Sequence, residues 1–189
     1  MNSPPQLHLA STSPRRREIL QSLGIQFDVV MVETDERPEQ GESAEDLVLR
    51  LAIAKAQAAV GAEYVLGSDT VVVLDDRVLG KPRDEGDAVE MLLALSGRSH
   101  QVFTGVALKT PAGTDVTLSK TDVRFREIGR DEAVRYWHSG EPRDKAGGYG
   151  IQGIGGIFVA SINGSYSGVM GLPVFETVEL LRSAGIDCC

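Results

Sequence analysis

Cysteine is almost missing from this chain: two residues in 189, Cys188 and Cys189, stand side by side. Adjacent thiols give neither the spacing of a zinc site nor a disulfide framework, which suits a reducing compartment. The three histidines, His8, His100 and His138, are scattered, and each reads as an ordinary structural or surface residue. Basic charge is also short. The net charge is -8 and aromatic residues make up 5%, with no basic–aromatic interleaving, so a nucleic-acid-binding role is disfavoured. Any anionic ligand has to be held by a local basic cluster. No apolar run approaches the roughly 20 residues of a membrane span. Met1 to Gln6 lack the charged-then-apolar pattern of a signal segment, so no membrane association and a cytoplasmic location are expected. There is no internal repeat, low-complexity tract, linker or P-loop. What is present is ordinary for a globular protein, with 42% hydrophobic and 24% charged residues. The length fits one domain over 1–189, or one fold with two closely joined lobes, and buries a core without metal or disulfide.

Strand-like and helix-like segments alternate through the first hundred residues. Leu7 to Ala10 reads as a strand; Ser13 and Pro14 then open a helix as N-cap and N1, with Ile19, Leu20 and Leu23 apolar and Gly24 as its end. Gln26 to Val32 reads as a second strand. Ser43, with Asp46 three residues on, begins a longer helix. Tyr64 to Leu74 is a strand, Asp75-Asp76 a hairpin turn, and Arg77 to Leu79 its return. Asp84 caps a third helix closed by Gly97. A long hairpin over Ser99 to Phe125 turns at Pro111 to Gly113. A helix (Asp131 to Ser139), a glycine-rich loop, a strand (Ile157 to Ile162) and a helix (Pro173 to Ala184) follow. The pattern is mixed α/β and not a clean βαβ repeat, so a doubly wound parallel sheet is not expected.

Several charges sit where stability alone would not place them. Arg15, Arg16 and Arg17 crowd the first turn of a helix, against the macrodipole. With Ser11, Thr12 and Ser13 beside them, that turn suits a polyanion such as phosphate, although a solvated basic turn paired with surface carboxylates would look the same. Arg16 shares the stripe of Ile19, Leu20 and Leu23 and points inward. Lys55 follows Leu51 and Ala52 on the apolar face of its helix, and either snorkels to the surface or serves a site. Asp69 interrupts the apolar run Tyr64 to Val73, where an unpaired carboxylate is costly. It is either satisfied by backbone amides or acts as metal ligand or general base. Gly80-Lys81-Pro82 puts a further cation in a rigid turn. Gly148 to Gly153 matches G-x-G-x-x-G, but a polar turn precedes it and a strand follows, so the dinucleotide reading is rejected.

Together these segments resemble the Maf family of nucleotide pyrophosphatases, named for inhibition of septum formation. The likeness runs from about Leu7 to Ala184. It is carried by Ala10-Ser11-Thr12-Ser13-Pro14-Arg15-Arg16, Glu36, Ala54-Lys55-Ala56, Gly67-Ser68-Asp69-Thr70, Gly80-Lys81-Pro82, Asp144 to Gly153, Gly164-Ser165-Tyr166 and Gly171-Leu172-Pro173. The resemblance implies a mixed-sheet α/β fold similar to the inosine-triphosphate pyrophosphatases, with a cleft between two lobes and frequent homodimers. It implies house-cleaning hydrolysis of a nucleoside triphosphate between the α and β phosphates, with Mg²⁺ or Mn²⁺. Asp69 would activate water, Ser11, Arg16, Lys55 and Lys81 would hold phosphates, and Glu36 would join Asp69 at the metal. Arg15, Thr70 and Gln152 resemble the subgroup acting on dTTP and UTP, and a Gln side chain both donates and accepts, as a pyrimidine edge requires. Two alternatives stay open: the same chemistry on 7-methylguanosine triphosphate or another modified purine nucleotide, and a nucleotide-binding regulator of cell division. Intact Asp69, Lys55 and Lys81 count against the regulator.

Overall fold

The computed structural model describes residues 5–187, so Cys188 and Cys189 lie outside the described residues. Its strands are β1 (Leu7–Ala10), β2 (Phe27–Val29), β3 (Tyr64–Leu74), β4 (Arg77–Leu79), β5 (Ser99–Thr110), β6 (Gly113–Phe125) and β7 (Val159–Asn163). Its α-helices are α1 (Pro14–Ser22), α2 (Ala44–Ala58), α3 (Glu85–Leu95), α4 (Arg130–His138), α5 (Tyr166–Met170) and α6 (Val174–Ser183). The strand order is β2-β1-β3-β5-β6-β7, with β4 beside β3. β1 runs parallel to β2 and β3, while β3–β4 and β6–β7 are antiparallel. The protein is therefore a mixed α/β fold on a mixed sheet. The chain divides into two compact units, and β3, β5 and β6 each pass from one into the other. Among the described residues no helix is long and apolar enough to cross a membrane.

Among the described residues, the first unit comprises 5–69, Thr104–Ser119 and 171–187. Helix α2 starts where the capping pattern places it: the Ser43 hydroxyl accepts from the Asp46 N–H at 3.1 Å and donates to the Asp46 carboxylate at 2.7 Å. Its buried face, Leu47, Val48, Leu51, Ala52 and Ala56, follows the helical period. The helix backbone rests directly on two strands. A side chain at Gly67 would stand 2.3 Å from the Ala52 carbonyl oxygen and 2.7 Å from the Ala56 nitrogen; one at Gly105 would stand 2.5 Å from the Val48 carbonyl oxygen. Only glycine permits such an approach. Ala10, Ala59 and Ala107 keep the surrounding seam small.

The second unit comprises Thr70–Phe103 and Lys120–Met170. Asp75 and Asp76 turn the β3–β4 hairpin with φ of 48° and 63°, the left-handed pair that two-residue hairpins favour. Asp84 caps α3 by accepting from the Asp87 N–H at 2.9 Å. The core gathers Leu92, Leu95, Val123, Tyr136 and Phe158 around Phe125, whose ring centroid lies 4.8 Å from those of both His100 and Tyr149. Some expected boundaries shift. The strand expected from Ile157 begins at Val159, because 154–158 winds into a 3-10 turn. The strand expected over Gln26 to Val32 pairs only over Phe27–Val29, and α5, five residues long, is too short to leave a periodic signal.

His100 is structural, as its isolation in the sequence suggested. It is 3% exposed, with Nε2 2.8 Å from the Tyr149 hydroxyl and Nδ1 without a partner among the described residues. Burial lowers its pKa to about 4, from 6.5. Because the folded value lies below the unfolded one, the stability this neutral ring contributes is full above pH 6.5 and disappears as pH falls through 4. That linkage amounts to about 3 kcal/mol. The melting temperature should therefore fall between pH 7 and pH 4.5, and His100→Phe should flatten that part of the profile. Parallel profiles for variant and parent would assign the acid sensitivity elsewhere.

Candidate functional site

Strand periodicity puts Gly67 and Asp69 on one face of β3, the face against which α2 lies at Gly67. Lys55, beside Ala56 on that helix, consequently projects toward Asp69. Its ammonium stands 2.6 Å from Asp69 Oδ1 and 2.6 Å from Glu36 Oε1. The Lys55 and Asp69 side chains are 11% and 12% exposed, against 54% for Glu36. Lys55 therefore does not snorkel to the surface; it joins two carboxylates. The loop bearing Glu36 is fixed by Arg50 of α2, whose guanidinium donates to both Glu42 carboxylate oxygens (2.6 and 2.8 Å) and to the Arg37 carbonyl (3.1 Å).

Helix α1 brings in the second half of this cluster. Ser13 is its N-cap in extended conformation, but its hydroxyl makes no cap; the Ser11 hydroxyl accepts from the Ser13 N–H at 3.2 Å. Arg16 points inward, donating from Nη1 to the Ser11 hydroxyl at 3.2 Å and from Nε to the Gly171 carbonyl at 2.7 Å. The same carbonyl accepts from the buried Ser68 hydroxyl at 2.9 Å. Burial lowers the Arg16 pKa, Asp69 opposes this, Arg15 adds to it and Glu36 again opposes. The guanidinium stays charged, and Arg16 shares one electrostatic cluster with both acids. The first unit thus brings together Ser11, Arg16, Glu36, Lys55 and Asp69, with half-buried Arg15 next to Arg16.

The other expected residues belong to the second unit. Thr70, half-buried, alternates to the face of β3 opposite Asp69. Lys81 is exposed in a turn whose Gly80 carbonyl accepts from the Gly147 N–H at 3.0 Å. Gln152 is exposed within a tight turn closed by Gly153 N–H to Gly150 carbonyl at 3.2 Å. The glycine-rich segment follows a 3-10 turn at Ala146–Gly148 and leads into another at Ile154–Phe158. It therefore lacks both the strand and the α-helix of a dinucleotide fingerprint.

Two polar residues that sequence reasoning missed organise this loop. The Tyr136 hydroxyl donates to Glu141 Oε1 at 2.7 Å and accepts from the Gly150 N–H at 3.0 Å. The Glu141 carboxylate accepts from the Ile154 and Gly155 N–H groups at 2.8 and 2.9 Å. Burial pushes the Glu141 pKa up, but these bonds and the charge of Lys145 outweigh it and hold the carboxyl below its usual value. Burial is also the leading cause of the raised Tyr136 pKa, with the bond to Glu141 adding to it. Only Pro142, marking a turn, hints at Glu141 in the sequence.

A family model described as Maf-like protein matches residues 6–184. A dTTP/UTP pyrophosphatase of Saccharophagus degradans is 55% identical over 184 residues, covering 93% of this chain and 87% of the relative. A dTTP/UTP pyrophosphatase of Vibrio parahaemolyticus is 51% identical over 180 residues, covering 93% and 95%. Among solved structures, the Ham1 protein of Staphylococcus aureus aligns over 64% of this chain and 71% of its own, with 17% identity and a TM-score of 0.43.

Proposed function

The chain belongs to the Maf family, and on that premise we propose that it hydrolyses dTTP and UTP to the nucleoside monophosphate and pyrophosphate. The names of the relatives support the substrate. The observation that carries the chemistry is the pairing of Lys55 with Asp69 and Glu36 at 2.6 Å each, beside inward-facing Arg16. Attack of water on the α-phosphorus, with pyrophosphate leaving, requires neutralised oxygens and an oriented nucleophile. Ser11, Arg16, Lys55 and Lys81 hold the phosphates in this reading. Asp69 orients the attacking water and receives its proton, as a general base does. Arg15, Thr70 and Gln152 select the base, the Gln amide matching a pyrimidine edge that both donates and accepts.

A divalent cation fits the acids that are present. Among the described residues no three His, Cys, Asp or Glu side chains converge, but Mg²⁺ needs only one or two carboxylates when substrate phosphates supply the rest. Glu36 and Asp69, already drawn to one cationic group, are such a pair. Bound there, Mg²⁺ or Mn²⁺ would neutralise phosphate charge and favour ionisation of a water.

The test is pyrophosphate release with Mg²⁺ or Mn²⁺ across dTTP, UTP, CTP, dATP, GTP and 7-methylguanosine triphosphate. Preference for dTTP and UTP, with monophosphate as the second product, is the expected result. Activity confined to the methylated purine would overturn the specificity, and inactivity on all of them would overturn the reaction.

A further inference from the structure

Gln152 sits on a turn gripped from both ends by one pair of side chains. The turn is closed by Gly153 N–H to Gly150 carbonyl at 3.2 Å. Before it, the Gly150 N–H donates to the Tyr136 hydroxyl at 3.0 Å; after it, the Ile154 and Gly155 N–H groups donate to Glu141 at 2.8 and 2.9 Å. Tyr136 closes the circuit by donating to Glu141 at 2.7 Å. The glycines here are glycines because the pair leaves no room. A side chain at Gly153 would stand 2.2 Å from Glu141 Oε2, and one at Gly155 would stand 2.5 Å from the Tyr136 hydroxyl. Tyr136 is buried and Glu141 half-buried, whereas Gln152 is exposed. The clamp fixes the backbone and leaves the amide free to meet a ligand.

We propose that Tyr136 and Glu141 are positioning residues for base selection: they hold the 150–155 turn so that Gln152 presents its amide in one orientation. The inference rests on the reading of Gln152 as a base-selecting residue. Charge-assisted bonds from two successive amides to one half-buried carboxylate are short and directional. Glu141→Gln keeps the shape but replaces one accepting oxygen with an NH₂ donor, so one loop amide then faces a donor and the turn loosens.

The experiment measures affinity by titration calorimetry, using α,β-imido analogues of UTP and GTP that resist hydrolysis. It compares the parent, Q152A, E141Q and Y136F. Amide hydrogen exchange over 150–155 is followed in parallel. The parent should prefer the UTP analogue, and Q152A should abolish that preference. E141Q should lower UTP-analogue affinity about tenfold to a hundredfold, leave GTP-analogue affinity nearly unchanged and accelerate exchange in the turn. Y136F should do the same more weakly, and it carries the test if E141Q fails to fold. Faster exchange with an unchanged UTP/GTP ratio in E141Q and Y136F would overturn the proposal, because the clamp would then be structural alone. An unchanged ratio in Q152A would instead remove the role of Gln152, and this inference with it. Turnover is not read, so a parent that selects the UTP analogue but hydrolyses nothing would refute the proposed reaction and leave the clamp standing.

Discussion

Asp69→Asn should cut pyrophosphate release from UTP by about 10²- to 10⁴-fold, the range for loss of a positioned general base, while nucleotide affinity stays close to the parent's. The amide fills the same space on β3 and still accepts from Lys55, so the local packing survives. It cannot take a proton from water or contribute full charge toward a cation. Single-turnover kinetics and equilibrium binding separate the two effects. Loss of binding in step with loss of rate would make Asp69 a substrate anchor, and parent-like turnover would remove it from the chemistry.

The second large effect belongs to Lys55→Met. Methionine fills most of the volume but leaves Asp69, 12% exposed, without its cation and near the like charge of Glu36. Breaking a buried ion pair from one side costs about 3–5 kcal/mol. At this chain length that lowers the melting temperature by on the order of 10 °C, in addition to any loss of phosphate binding. Because the penalty comes from the stranded carboxylate, adding Asp69→Asn should return part of the stability. The double variant should melt above Lys55→Met alone, a coupling that a thermodynamic cycle measures directly. Additive losses would mean that Lys55 stabilises the fold by packing, with no electrostatic link to Asp69.

Both residues were conspicuous in the sequence, because each contradicts the pattern around it. Lys55 lies on an apolar helix face and Asp69 in an apolar strand, and burial turned those contradictions into a pair. Arg16 was legible for the same reason, its stripe pointing inward to Ser11 and Gly171. The hairpin at Asp75-Asp76 was legible from turn chemistry, and both residues adopt positive φ. Periodicity reports which face of an element is buried, but carries nothing about a polar circuit such as Tyr136–Glu141–Gly150–Ile154. Its members are spread over helix, turn and loop, and none breaks a local rule. The late start of β7 has the same origin: the Ile154 and Gly155 amides donate to Glu141, so the segment Ile154–Phe158 coils before the strand can begin. Short elements such as α5 carry too few residues for a period to be counted.

The reach of Lys55 to Asp69 is governed by an atom that is not there. Gly67 lies two positions before Asp69 on the same side of its strand, and the absent β-carbon lets α2 settle at backbone contact. A single methyl at that position would act as a shim, raising the helix off the strand and carrying the amine away from the acid. Alanine at 67 would press on the backbone of Ala52 and Ala56, and so would alter the gap between the two charges. The tolerance of this centre is machined into its floor.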